Sequence, residues 1–336
     1  MEPLASHRVE DADSVSPAFG RHSLGRQSLG RHGLGRHRLG SVPGPGRRPD
    51  RRAGAAILGA ALLWGTTGTA ATFAPHGSSP LVVGAAATGF GGLVLAATAG
   101  RRILRILRER KGLPILIAGA LATAAYPLAF YTSMNLAGVA VGVTATIGSS
   151  PLAAALIEFT LDARRLTRRF IGATFTAIAG VALLGFSAAS NRGAGHGDVI
   201  VGVILGLGAG CLYGAYTFAA ARLIDDNRPS RDVMAAMFAP ASAILLTIVA
   251  FAGGPLLRTA RGIEVVSYLA LIPIGLGYML FGRGLRSTPA SVATALSLLE
   301  PVVAALVAEM VAHQGVAALG WAGIALVATS IITLGV

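Results

Sequence analysis

One carboxylate, Glu300, stands inside a long apolar stretch, ASVATALSLLEPVVAALVA, near the end of a 336-residue chain. It lies about ten residues into that stretch, roughly 15 Å at 1.5 Å per residue, which is the middle of a bilayer core about 30 Å thick. Placing a charge there costs about 2.5–3.5 kcal/mol on insertion scales, so the group should face a cavity or a partner. The chemistry this suggests is proton or cation coupling; the plainer alternative is a neutral acid hydrogen-bonded to a neighbouring helix. Glu158 and Glu309 also sit inside apolar runs, seven and eight residues beyond Pro151 and Pro301. They are candidate gates, or side chains that reach the interface and loop arginines such as Arg164. Trp64, Tyr126, Tyr213, Tyr216 and Tyr278 offer π-faces to an organic or cationic solute, and as ordinary packing residues they would need none. Ser149, Ser150, Thr144 and Thr294 flank Pro151 and Pro301, where a hydroxyl can touch substrate or satisfy a carbonyl freed by proline.

Other chemistries are poorly served. The single cysteine, Cys211, rules out a disulfide framework and cysteine-based metal sites. His76, His196 and His313 fall in loops without acidic or cysteine partners at ligand spacing, so no metal and no cofactor is expected. No HExxH, GxSxG or Walker-type GxxxxGK[ST] is present, and the one lysine, Lys111, lies in a basic loop. An integral membrane enzyme acting on a lipid-like substrate therefore stands only as the alternative to a transporter.

The elements that must hold these residues follow from composition. The chain is 53% hydrophobic and 13% charged, yet carries a formal charge of +13. Soluble globular domains have about twice that charged fraction. Before Arg52 the chain is polar, with GRHSL, GRQSL, GRHGL and GRHRL in tandem, and residues 1–53 read as a disordered basic tail. It is not a secretory signal, since the first apolar run begins after residue 52. Apolar runs follow at about 55–74, 80–99, 113–134, 139–160, 170–188, 198–221, 233–252, 264–282, 289–311 and 319–336. Ten spans separate the charges: 25 arginines and lysines fall on one face and only Arg192, Arg258 and Arg261 on the other. Positive residues stay cytoplasmic, so both termini are expected inside, in a bacterial inner membrane. The basic residues thus orient the chain in lipid and do not call for nucleic acid. The expected partners are the bilayer and a small-molecule solute, with a homodimer left open.

Two segments recur about 150 residues apart. Residues 139–158 match 289–308 at seven of twenty positions, Pro151 with Pro301 among them, and 60–71 match 209–220, pairing Trp64 with Tyr213. Five spans per repeat is an odd number, so the halves enter the membrane from opposite sides. The predicted fold is an all-α integral membrane protein of about ten transmembrane helices in two five-helix inverted repeats, 54–190 and 197–336. Such repeats build secondary transporters, with the site at the midplane near corresponding interrupted helices. Here those are the fourth and ninth spans, expected to break at Pro151 and Pro301. Glycines such as Gly84, Gly89, Gly91 and Gly92 read as close helix contacts.

The first span, LLWGTTGTAATFAP, and the stretch GYMLFGRGLRSTPASVATALSLLEPVVAALV resemble the EamA-type transporters of the drug/metabolite transporter superfamily. The resemblance covers 55–336 and implies ten helices and alternating access for efflux or uptake. Two departures stand out. The acidic position of the family's Gly-Glu-Arg-Leu turn is Arg164 in the first repeat and Gln314 in the second. A second-helix arginine is replaced by Ala87 or Thr88.

Overall fold

The computed structural model describes residues 50–189, 196–312 and 317–335. The GRxxL repeats of the tail, Arg192, His313 and Gln314 lie outside the described residues, as does the side chain of His196. Helix α1 (Arg51–Ala71) begins inside the stretch expected to be tail, because Asp50 caps it: its carboxylate accepts from the Arg52 amide at 3.2 Å. Then follow α2 (Pro80–Ala99), α3 (Leu113–Ala137), α4 (Val139–Asp162), α5 (Arg168–Ala189) and α6 (His196–Asp225). The chain continues through α7 (Ser230–Ala252), α8 (Ala260–Leu285), α9 (Ala290–Val311) and α10 (Ala318–Leu334). Nine of these are long and apolar enough to cross a membrane; α10 has 17 residues, the lower end of the spanning range. No strand occurs among the described residues.

The pairings that first-half helices make with the second half recur with the halves exchanged. α3 packs on α6 as α8 packs on α1, and α4 packs on α6 as α9 packs on α1. α2 meets its repeat counterpart α7, α5 meets α10, and α4 meets α9. The counterparts run antiparallel: Glu158 near the end of α4 reaches the start of α9, and Arg169 at the start of α5 donates to the Thr333 carbonyl near the end of α10. That is the inversion an odd number of spans requires.

Glycine permits the closest of these contacts. A Cβ on Gly180 of α5 would lie 2.6 Å from the Gly323 carbonyl of α10. One on Gly92 of α2 would lie 2.9 Å from the Phe238 carbonyl of α7. Gly84, Gly89 and Gly91 likewise sit against Tyr131, Leu246 and Ile274, as expected of close helix contacts.

The loop expected from Arg101 to Lys111 contains a short helix, Arg102–Arg108, because Ile103 and Ile106 bury one face while arginines take the other. Ion pairs knit the basic loops at one end. Arg102 meets Asp232 at 3.4 Å, Arg228 meets Glu109 at 2.7 Å and Asp226 at 2.9 Å, and Arg222 meets Asp162 at 3.0 Å. Burial on its own would lower the pKa of Arg228, but the hydrogen bonds to Glu109 and Asp226 outweigh it and hold the guanidinium above its ordinary value. The α2–α3, α4–α5, α6–α7 and α8–α9 connections, which carry the positive charge, therefore share one end of the bundle.

Three helices depart from regular geometry near the middle. α1 is interrupted at Thr66, whose hydroxyl donates to the Leu63 carbonyl and bonds the Tyr268 hydroxyl at 2.8 Å. α8 widens into a π-helical turn at Ala270–Leu276, around Pro273. α9 breaks at Ser297-Leu298, ahead of Pro301, where the Glu300 amide takes the Ser297 carbonyl at 2.9 Å. α4, expected to break at Pro151, does not. Its Ile147 carbonyl, which proline leaves without an amide, accepts the Ser150 hydroxyl at 2.9 Å, and the helix passes through.

Candidate functional site

Between the two halves lies a cavity that is partly open to the exterior. Its wall draws on α1, α2 and α3 from one repeat and on α6, α7, α8 and α9 from the other. Eight of its seventeen lining residues are aromatic. Tyr126 stacks on Phe130 at 5.5 Å and Tyr213 on Tyr216 at 5.2 Å, centroid to centroid, while Trp64 packs on Tyr278 at 4.9 Å. Trp64 and Tyr213, paired by the internal repeat, meet edge to face at 6.3 Å.

Most polar edges of these rings are engaged within the protein. The Trp64 Nε1–H donates to the Pro273 carbonyl, inside the π-turn, at 2.9 Å. The Tyr213 hydroxyl donates to Ser297 Oγ at 2.8 Å, and the Tyr216 and Tyr278 hydroxyls bond each other at 2.8 Å. The lining is otherwise largely apolar, apart from the Tyr126 and Tyr131 hydroxyls, three threonines and the carboxyl of Glu300.

Glu300 is half-buried, and its carboxyl has no hydrogen bond or ion pair among the described residues. Among the described residues no other charged side chain lines the cavity. Ala87 and Thr88, where the resemblance implied an arginine in other chains, are both in the wall, so no guanidinium faces Glu300 from α2. Its counterpart in the first repeat is Ser150, which is buried, turned to the Ile147 carbonyl and outside the cavity wall. The charge belongs to one half only.

The sequence pattern of the EamA-like transporter family matches residues 52–186 and again 200–336. The chain belongs to the EamA-like transporter family. It is a membrane transporter of that family. The uncharacterized transporter YwfM of Bacillus subtilis (strain 168) is similar at 34% identity over 287 residues, 83% of this chain and 92% of that protein. A solved crystal structure superposes with a TM-score of 0.71 at 18% identity, covering 84% of this chain and 96% of the other, a likeness of fold alone.

Within this EamA-like chain the expected site residues divide. Glu300, Trp64, Tyr126, Tyr213, Tyr216 and Tyr278 come together in the cavity wall. Pro151, Pro301, Ser150 and Thr294 do not reach it. Thr294 donates to the Ala290 and Ser291 carbonyls of its own helix, Ser149 to those of Ala145 and Thr146, and Thr144 to Val181 across to α5. Each of these hydroxyls thus satisfies a backbone carbonyl. Phe130, Tyr131, Thr123 and Phe238 line the cavity without having been singled out. An aromatic in an apolar run carries no signal of its direction; Pro273, a proline in mid-span, was the one available sign that α8 is irregular beside the site.

Glu158 is buried, 3% exposed, and caps α9: it accepts from the Ala290 amide at 2.8 Å and the Ser291 hydroxyl at 2.5 Å, with Arg164 at 3.9 Å. A second, polar cavity beside it is lined by Asp162, Arg222 and Arg286. Glu309, near the other end, is half-buried, and its Oε2 has no hydrogen-bond partner among the described residues. Among the described residues no three His, Cys, Asp or Glu side chains gather as a metal site would need.

Proposed function

We propose that the chain is a secondary active transporter that carries a small organic metabolite or drug across a bacterial inner membrane by alternating access, with efflux the favoured direction. Both termini are cytoplasmic in this reading, since the four basic connections share one end and positive residues are retained inside. The observation that carries it is the Glu300 carboxyl, without a partner in a cavity walled by both repeats. A carboxyl so placed can exchange a proton or hold a cation when the cavity opens to either side, which couples the solute to an ion gradient or to a counter-solute. Glu158 and Glu309 serve as gates at opposite ends, the first engaged by the start of α9 and the second with an Oε2 that has no partner among the described residues.

The test is solute counterflow in proteoliposomes, with and without a pH gradient. Glu300→Gln should abolish transport while leaving expression and melting temperature unchanged. Transport undiminished in that variant removes the coupling role.

A further inference from the structure

We infer that the solute is an organic monocation with a flat or compact apolar body, which deepens the transporter reading and rests on it. The wall includes the rings of Trp64, Tyr126, Tyr213, Tyr216 and Tyr278, and a cation seated over the face of such a ring is attracted by its quadrupole. That attraction grows as the cation loses water, which a cavity in mid-membrane ensures. Glu300 supplies the counter-charge. It has no arginine, lysine or histidine beside it in the wall, so its charge is available to a ligand.

The same wall disfavours an anion on two grounds. An anion would meet the Glu300 carboxylate with nothing to neutralise it. Several of the donors that would solvate it are already committed: the Trp64 N–H to Pro273, the Tyr213 hydroxyl to Ser297, and one of the Tyr216 and Tyr278 hydroxyls to the other. The Tyr126 and Tyr131 hydroxyls have no hydrogen-bond partner among the described residues and can serve one polar group on the cation's body.

Two probes of nearly the same shape and opposite charge separate the cases: N-methyl-4-phenylpyridinium and biphenyl-4-carboxylate. The chain has two tryptophans, and Trp321 on α10 is 54% exposed, so Trp321→Phe leaves Trp64, in the cavity wall, as the reporter. In that background the purified full-length protein should show a saturable change in Trp64 emission with the cation and none with the carboxylate. Glu300→Gln should weaken the cation by about tenfold or more. Tyr126→Leu should weaken it about three- to tenfold, whereas Tyr126→Phe, which keeps the ring face, should stay within about twofold. Comparable binding of the carboxylate, or a cation affinity unmoved by Glu300→Gln, overturns the proposal. The carboxylate arm needs no substitution in the cavity and so does not depend on how a variant folds. The same probes in proteoliposomes separate the two readings. Cation bound but not moved would sink the transporter reading and keep this one; carboxylate moved, with the cation neither bound nor moved, would do the reverse.

Discussion

Replacing Glu158 by alanine removes the contact that joins the end of α4 to the start of α9. The carboxylate is buried and accepts two hydrogen bonds, from the Ala290 amide and the Ser291 hydroxyl. Hydrogen bonds to a charged group contribute about 1.5–3 kcal/mol each, and a buried donor left without an acceptor costs about 1–3 kcal/mol. Arg164, at 3.9 Å, adds little, because the α4–α5 loop leaves its head in reach of water. Allowing for solvent entering the vacated space, Glu158→Ala should destabilise the protein by about 3–4 kcal/mol. Glu158→Gln should lose only about 1–2 kcal/mol, since its amide oxygen still accepts from Ala290 and its NH₂ can donate to Ser291. Ser291→Ala alone should lose about 1 kcal/mol, and the double variant should fall short of the sum of the singles by about 1–2 kcal/mol. Unfolding by SDS in mixed micelles measures all four proteins on one scale. Strict additivity, to within about 0.5 kcal/mol, would falsify the capping account.

Three further outcomes are expected. Trp64→Phe keeps the ring in the cavity wall but loses the bond to the Pro273 carbonyl, so counterflow should fall several-fold while expression holds. Gly180→Ala should lower the melting temperature in detergent, because its Cβ meets the Gly323 carbonyl at 2.6 Å; Gly172→Ala on the same helix meets nothing within 4 Å and should raise it, through up to about 1 kcal/mol of helix propensity. Reporter fusions after residues 110, 194 and 260 should read inside, outside and outside, and an inside signal at 194 would reverse the proposed orientation.

The spans were legible because bilayer solvation acts on composition over twenty residues at a time, and arginine placement marks their ends. Glu300 was legible for the same reason, being the group that this solvation tolerates least. The pairing of Trp64 with Tyr213 came from the repeat and placed both in one wall. Direction within a helix was harder to read. Ser150 and Thr294 flank prolines as a binding residue would, yet their hydroxyls turn back onto their own helices, where the carbonyl is nearer than any solute. Proline also proved ambiguous: α4 runs through Pro151 because a serine stands next to it, while α9 breaks four residues ahead of Pro301. Glu158 looked much like a side chain reaching for the interface, since nothing local shows that the start of α9 lies opposite.

The π-turn in α8 has a consequence for how this chain can change. A π-turn amounts to one residue inserted into an α-helix, and each α-helical residue turns about 100° around the axis. Tyr278 and Phe281, which lie beyond it, reach Trp64 through that extra residue. Deleting one position within 270–276 would heal the helix, preserve every aromatic and the hydropathy of the span, and swing Tyr278 away from the site. Here the count of residues between landmarks is itself inherited information, so a single-residue gap in α8 between two relatives would mark different binding chambers even where all their named side chains agree.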